Sequence, residues 1–144
     1  MSVARNQTGR GWFGTDRKGA AAVEFALTAP ILFLFLFAAL EFGRYNMLQQ
    51  TANNAAFEAA RQCILPGASA TDGQNVGLNV LRAARITGGA VTINPSTITL
   101  TTTQVTATVT VPVTSNLWIA PAFCKSTSIT KACTLTPDWI DSAR

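Results

Sequence analysis

The chain has 144 residues, of which 48% are hydrophobic and 12% are charged. This length and composition suit a single folded domain with a membrane segment and exclude two independent globular cores. The net charge is +4, but residues 1–19 hold four cations and one anion, so the rest of the chain sums to +1 and the charge does not indicate an acidic partner.

An apolar run from Phe25 to Leu40 is interrupted by a single threonine. It is just short of the roughly 20 residues that cross a bilayer as a helix, and it reaches that length when extended back through Glu24 to Ala20. Lys and Arg beside a membrane helix stay in the cytoplasm, so the basic leader places the N-terminus there. A secretory signal peptide is disfavoured, because no A-x-A cleavage pattern follows the run.

The stretch RKGAAAVEF joins the basic leader to this run. It resembles the leader-cleavage motif of type IV prepilins and pseudopilins, which a membrane-embedded prepilin peptidase cuts after a glycine on the cytoplasmic side. The resemblance implies a cut between Gly19 and Ala20, and it makes Glu24 the fifth residue of the mature chain. Glu24 and Phe25 would then take part in assembly or recognition.

Glu24 is the one charged residue within the apolar segment. A carboxylate inside the hydrocarbon costs about 2.5 kcal/mol or more, so such a residue is a functional candidate that needs a partner. Cleavage would create a cation at the amine of Ala20, and the same amine on a neighbouring subunit would neutralise Glu24 during packing. The alternative is that Glu24 lies at headgroup depth and is solvated.

Pro30 stands within the same predicted helix. Its ring clashes with the carbonyl four residues earlier and it lacks the N–H of one backbone hydrogen bond, so we expect a kink or an unwound turn between Thr28 and Pro30. Beyond the membrane, apolar residues recur at helical spacing until Pro66-Gly67, which predicts one continuous helix from Ala20 to Leu65, roughly 70 Å long. Its predicted buried face consists of Tyr45, Leu48, Ala52, Ala55, Ala56, Ala59 and Ala60.

The segments AAAVEFAL and NNAAFEAARQ together resemble TadE-like pseudopilins of the tight-adherence (Flp) pilus system. The resemblance covers about residues 17–65, and Phe25 stands where several such proteins have tyrosine. TadG-like relatives continue into a much larger outer domain, and the major pilins of this system are much shorter. The resemblance implies the following partners: a prepilin peptidase, other pilin and pseudopilin subunits, the inner-membrane pilus assembly platform and the lipid bilayer.

The distal half predicts a short second helix from Ala70, with Thr71 or Asp72 as its N-cap. Gly77 weakens this helix, and Gly88-Gly89 is expected to end it. Alternating β-branched residues then predict a sheet. One strand points Val105, Ala107, Val109, Val111 and Val113 to one face.

Two further strands are expected, one before and one after that alternating strand in the chain. Ile98 and Leu100 form the core face of the strand before it, and the strand from Ser128 to Leu135 points Ile129, Cys133 and Leu135 to one face. Pro112 indicates an edge or a bulge. The predicted fold class is α+β and pilin-like, with a long N-terminal helix, a short second helix and a small antiparallel sheet.

Three cysteines are present, and a domain outside the cytoplasmic membrane gains about 2–4 kcal/mol from a disulfide. Cys124 and Cys133 are closest in sequence, and a bond between them would tie the last strand to the preceding loop. Cys63 is the alternative partner for either. Which thiol is left over stays open.

Chemical motifs are scarce. The sequence has no histidine, and Asp72, Asp138 and Asp141 lack the paired spacing of a general acid and base. It contains no phosphate-binding loop, CxxC pair or metal-ligand cluster, and its distal aromatic residues are too scattered for a nucleic-acid platform. We expect a structural protein and not an enzyme, with no cofactor, metal or nucleic-acid partner.

The expected organisation is a cleaved cytoplasmic leader (1–19), a transmembrane helix (20–42), an extracytoplasmic continuation of that helix (43–65) and a small α+β domain (66–144). The protein would be a single-pass component of the bacterial inner membrane with its C-terminal domain in the periplasm, either incorporated in the pilus or only priming it. We interpret it as a minor pilin-like subunit for assembly or initiation of a tight-adherence pilus. The alternative is an uncleaved membrane protein whose outer domain binds a secretion or envelope component.

Overall fold

The computed structural model describes residues 16–99, 101–118 and 127–137. Its elements are α1 (Asp16–Cys63), α2 (Ala70–Ala83), β1 (Ala90–Asn94), β2 (Val105–Pro112) and β3 (Ser128–Leu135). The strands form one antiparallel sheet in the order β1-β2-β3. The chain divides into two compact units, Met1–Ala39 and Leu40–Arg144, and α1 contributes to both. The α+β class, with a long N-terminal helix, a short second helix and a small sheet, is confirmed.

Helix α1 is continuous over 48 residues and contains Pro30. The unwound turn expected between Thr28 and Pro30 is therefore wrong, while a kink at Pro30 stays a prediction. The Thr28 hydroxyl donates to the Glu24 carbonyl at 2.9 Å and lies 3.3 Å from the Phe25 carbonyl. Such bonding back to the preceding turn often bends a helix, and here it ties the hydroxyl to the helix just before the proline.

The predicted core face of α1 is buried in the unit that begins at Leu40. Leu48 is 4% exposed, and Ala52, Ala55, Ala56, Ala59 and Ala60 are fully buried, with Tyr45 packed beside them. These residues form one apolar cluster with the inward valines of β2. Alanine side chains allow close approach, so the helix lies tightly against its neighbours, and the prediction of a buried stripe is confirmed.

Helix α2 begins at Ala70, and its N-cap lies two or three residues earlier than the sequence suggested. Its N-cap is Ser69, and Asp72 is the third helical residue, so the assignment of Thr71 or Asp72 as N-cap is wrong. The Asp72 amide donates to the Ser69 hydroxyl at 3.2 Å, and the Asp72 carboxylate accepts from the Ser69 amide at 2.9 Å. This reciprocal capping box satisfies two amides that the helix leaves without partners. The helix ends at Ala83, well before Gly88-Gly89.

The glycines of α2 lie where the helix packs most closely. A Cβ on Gly77 would lie 3.1 Å from both methyl groups of Val91 and 3.2 Å from the Cβ of Ala59. A Cβ on Gly73 would lie 2.8 Å from the Ala59 carbonyl oxygen and would collide with Cys63 Sγ. Glycine at position 77 therefore lowers the helix propensity of α2, and its missing side chain allows α2 to pack closely against α1 and β1.

Strand β2 alternates as predicted, with Val105, Ala107, Val109 and Val111 fully buried. The prediction of Ser128–Leu135 as the last strand is also confirmed. Ile129 is buried, and Cys133 and Leu135 pack partly buried against the core.

Strand β1 lies earlier in the chain than expected. It turns Val91 and Ile93 inward, whereas Ile98 is half-buried in the following loop and Leu100 lies outside the described residues. The reason is a turn at this point, in which the Thr102 amide donates to the Thr99 carbonyl at 2.9 Å. The chain needs these residues to reverse direction into β2.

Pro112 lies at the end of the central strand, not on an edge strand. Val113 donates its amide to the Thr127 carbonyl, directly before β3. Neighbouring residues of a strand direct their amides to opposite sides, so the Pro112 nitrogen faces the β1 side. The last β1 pair there is Ala90 with Thr110, so β1 has already ended and no ladder bond is lost. The ring lies instead against Gly88, where an added Cβ would come within 3.0 Å of it.

Candidate functional site

The predicted cleavage and assembly residues lie together in the first turns of α1. Gly19, Ala20, Glu24 and Phe25 are all helical and exposed. Ala20 and Glu24 are four residues apart, which places them on one face of the helix, one turn from each other. The structure therefore brings the predicted new N-terminus and the carboxylate to one side of α1.

Gly19 has no packing partner among the residues that the structure describes. A Cβ built there would meet nothing within 4 Å, and the same holds for Gly43 further along α1. A glycine within a helix costs about 1 kcal/mol relative to alanine. Neither glycine is therefore required by the fold of this chain.

The segment that follows Glu24 exposes apolar side chains on every side. Within the described residues, the structure contains one helix that is long and apolar enough to cross a membrane, near the N-terminus, and its mean hydropathy over an 18-residue window reaches 2.2. A helix that is apolar all round needs a lipid or protein environment. The exposed large apolar side chains of this segment are Phe25, Leu27, Ile31, Leu32, Phe33, Leu34, Phe35, Leu36, Phe37 and Leu40.

A cation–aromatic contact lies one turn beyond this segment. The Arg44 guanidinium carbon is 5.1 Å from the centre of the Trp118 ring, and both side chains are exposed. The sequence did not predict this pair, because the two residues are far apart in the chain and meet only through the fold. One indication of this contact is present in the sequence: Arg44 follows closely after the apolar run, and arginine and tryptophan both favour membrane interfaces.

Two of the three cysteines, Cys63 and Cys133, lie in the described residues, and they are not bonded to each other. Cys63 is buried below the start of α2, with its sulfur 4.0 Å from the Ser69 carbonyl oxygen, and burial raises the pKa of its thiol. Cys133 lies partly buried on β3. Cys124 lies outside the described residues, so its bond to Cys133 stays a prediction.

The described residues hold no group of three or more His, Cys, Asp or Glu side chains close enough to bind a metal. The Asp72 carboxylate, whose charge acts on the buried Cys63 thiol, is already the partner of Ser69 in the capping box.

Comparison with known proteins identifies the N-terminal helix. The family model for TadE-like proteins matches residues 19–61. No curated protein and no solved structure matches the chain. The matched segment begins at the predicted cleavage site and includes the apolar segment and most of the buried alanine face of α1. The resemblance drawn from the sequence is thus confirmed: residues 19–61 are similar to TadE-like proteins.

Proposed function

We propose that the protein is a minor pilin-like subunit that acts in the assembly or initiation of a tight-adherence (Flp) pilus after cleavage by a prepilin peptidase. The TadE-like match indicates a pilus-associated protein, and the apolar part of α1 is consistent with a single pass through a membrane. One observation carries the proposal: the match begins at Gly19, the residue before the proposed cut. The major pilins of this system are almost entirely helical, so the sheet supports a minor role.

Gly19, which the fold does not require, supports processing at this site. A glycine that costs helix stability and touches nothing is best explained by a requirement outside the folded chain. A peptidase that must fit the residue before the scissile bond into a narrow site would impose such a requirement. The cut would remove residues 1–19 and leave a charged amine on Ala20.

Glu24 would then act in assembly. Its carboxylate lies on the same helix face as Ala20, so each subunit presents an anion and a cation one turn apart. Between neighbouring subunits these charges would pair in register, which would offset the cost of a carboxylate in hydrocarbon. The partners in this step would be other pilin and pseudopilin subunits and the inner-membrane assembly platform.

The proposed topology follows from the positive charges that precede the apolar segment. The leader, with four cations, would stay in the bacterial cytoplasm, residues 20–42 would span the inner membrane, and residues 43–144 would lie in the periplasm. Residues 43–63 would continue the helix as the support of the small α+β domain at 66–144.

Alanine substitution at two open glycines tests the proposal. Gly19→Ala should block or slow cleavage, so that mass spectrometry of the membrane fraction finds the chain with its leader. Gly43→Ala is the matched control, since it makes the same change at an equally open helical site and should mature normally. Normal maturation of Gly19→Ala would instead favour the alternative, an uncleaved membrane anchor whose outer domain binds an envelope or secretion component.

A further inference from the structure

Arg44 and Trp118 form an exposed pair with exposed apolar side chains beside it, and Glu41 lies three residues before Arg44 on the same helix. Trp118 is 73% exposed, although its ring lies against the guanidinium. Leu40 and Met47, four residues before and three residues after Arg44, are neighbours on the same helix face, and both are more than half exposed. One cation is therefore set among three exposed apolar side chains.

The position of this patch along α1 suggests what surrounds it. The apolar run ends at Leu40, and Arg44 follows one turn later, about 6 Å further along the helix axis. If α1 crosses a bilayer, Arg44 lies at the level of the lipid headgroups, whatever the tilt of the helix. Trp118 contacts Arg44, so the fold carries a tryptophan from the sheet-bearing unit to the same level.

The backbone before Trp118 is firmly held. The Asn116 amide group donates to the carbonyls of Thr87 at 2.9 Å and Pro112 at 2.8 Å, and its oxygen accepts from the Thr87 amide at 2.9 Å. Leu117 is buried and donates its amide to the Val113 carbonyl. The exposed indole thus extends from a turn that is anchored in the core.

We propose that Arg44 and Trp118 form a phospholipid-binding site at the outer surface of the membrane, in which Arg44 binds headgroup phosphates and Trp118 inserts its ring at the interface. Arginine donates in pairs to phosphate oxygens, and tryptophan is enriched at membrane interfaces because its ring is apolar and its N–H is polar. The charge is complementary to that of phosphate. This inference rests on the proposed function only for the insertion of α1.

Depth-dependent fluorescence quenching tests the site in the full-length chain. Trp12→Phe with Trp139→Phe leaves Trp118 as the single fluorophore, and the protein is reconstituted into phosphatidylglycerol vesicles that carry a quencher either on the headgroup or deep on the acyl chain. We expect Trp118 to be quenched several-fold more strongly from the headgroup. Arg44→Gln should weaken this quenching, and Arg44→Lys should retain part of it.

Two matched controls use other exposed positions of α1 in a background without native tryptophans. Phe57→Trp places the fluorophore about 20 Å beyond Arg44 on the same helix, where neither quencher should reach it. Phe33→Trp lies within the apolar segment and should be quenched from the acyl chain.

The outcomes distinguish the insertion of α1 into the bilayer from the binding of lipid at Arg44 and Trp118. If Phe33→Trp is not quenched from the acyl chain, α1 does not span the bilayer, and both the membrane proposal and the lipid site fail. If Phe33→Trp is quenched but Trp118 behaves like the Phe57→Trp control, the lipid site is wrong and the proposed function stands. A change in Trp118 emission that requires another pilus protein would also overturn the site, since it would identify a protein-binding surface.

Discussion

Gly73 lies where α2 packs against α1, and its replacement by alanine is expected to destabilise the unit that begins at Leu40. The added methyl group would meet the Ala59 carbonyl oxygen at 2.8 Å and collide with Cys63 Sγ. A backbone oxygen cannot rotate away, so the cost should lie near the upper end of the about 1–3 kcal/mol typical of overpacking. The higher helix propensity of alanine offsets about 1 kcal/mol of this cost, so the free energy of unfolding should fall by about 2 kcal/mol.

Two other glycines on helices provide graded comparisons. Gly77→Ala would approach the methyl groups of Val91 and the Cβ of Ala59 at 3.1–3.2 Å. The methyl groups can shift, whereas the Cβ moves only with the backbone of α1, so we expect a loss smaller than that of Gly73→Ala. Gly43→Ala meets no atom within 4 Å and should leave the stability unchanged or slightly higher. The predicted order of stability is therefore Gly43→Ala, then Gly77→Ala, then Gly73→Ala.

Urea denaturation of the full-length chain in detergent micelles, followed by circular dichroism, measures these differences. With an m-value of about 1–2 kcal/mol per molar urea, a loss of about 2 kcal/mol lowers the midpoint by about 1–2 M. The apolar part of α1 should stay helical in the micelle and provide a constant baseline. A Gly73→Ala midpoint at or above that of the wild type would refute the close packing of α2 on α1.

Three further predictions concern single polar side chains. Asn116→Ala should lower the free energy of unfolding by about 1–2 kcal/mol in the same assay, because it removes the side-chain partner of the part-buried Thr87 amide and of the Thr87 and Pro112 carbonyls; a neutral result would contradict the assigned bonds. The Ser69 hydroxyl and amide lower the pKa of Asp72, so the carboxylate stabilises α2 fully above about pH 4 and loses this effect as the pH falls through its folded-state pKa. Hydrogen exchange of α2 amides against pH should show this loss in the wild type and not in Asp72→Asn. Glu24→Ala should insert and be processed yet reduce piliation and surface adherence, and Glu24→Lys should do the same; wild-type piliation would mean that the carboxylate is only solvated.

The sequence correctly predicted the elements in which the spacing of apolar residues alone determines which face is buried. The alanine stripe of α1 and the valine alternation of β2 are each compatible with one buried side, and both were placed correctly. The strand before β2 was misplaced, because both Val91-Thr92-Ile93 and Ile98-Thr99-Leu100 alternate in period two. Only the pairing of β1 with β2 and the turn at Thr99 decide between them.

Other features depend on contacts that no local pattern encodes. Ser69 and Thr71 are both acceptable N-caps by residue type, and Ser69 is selected because Asp72 then completes the capping box. Gly77 looked like a weakness in a helix until the structure brought Ala59 and Val91 against it. The Arg44 contact with the distal tryptophan required the whole topology of the outer unit.

The start of the mature chain tests the central claim most directly. The protein should be purified from the membrane fraction of the bacterium that produces it, and its intact mass and N-terminal sequence determined. The proposed function predicts a chain that begins at Ala20, with residues 1–19 absent. A membrane-bound chain that still begins at Met1, in cells whose other prepilins are processed, would contradict it.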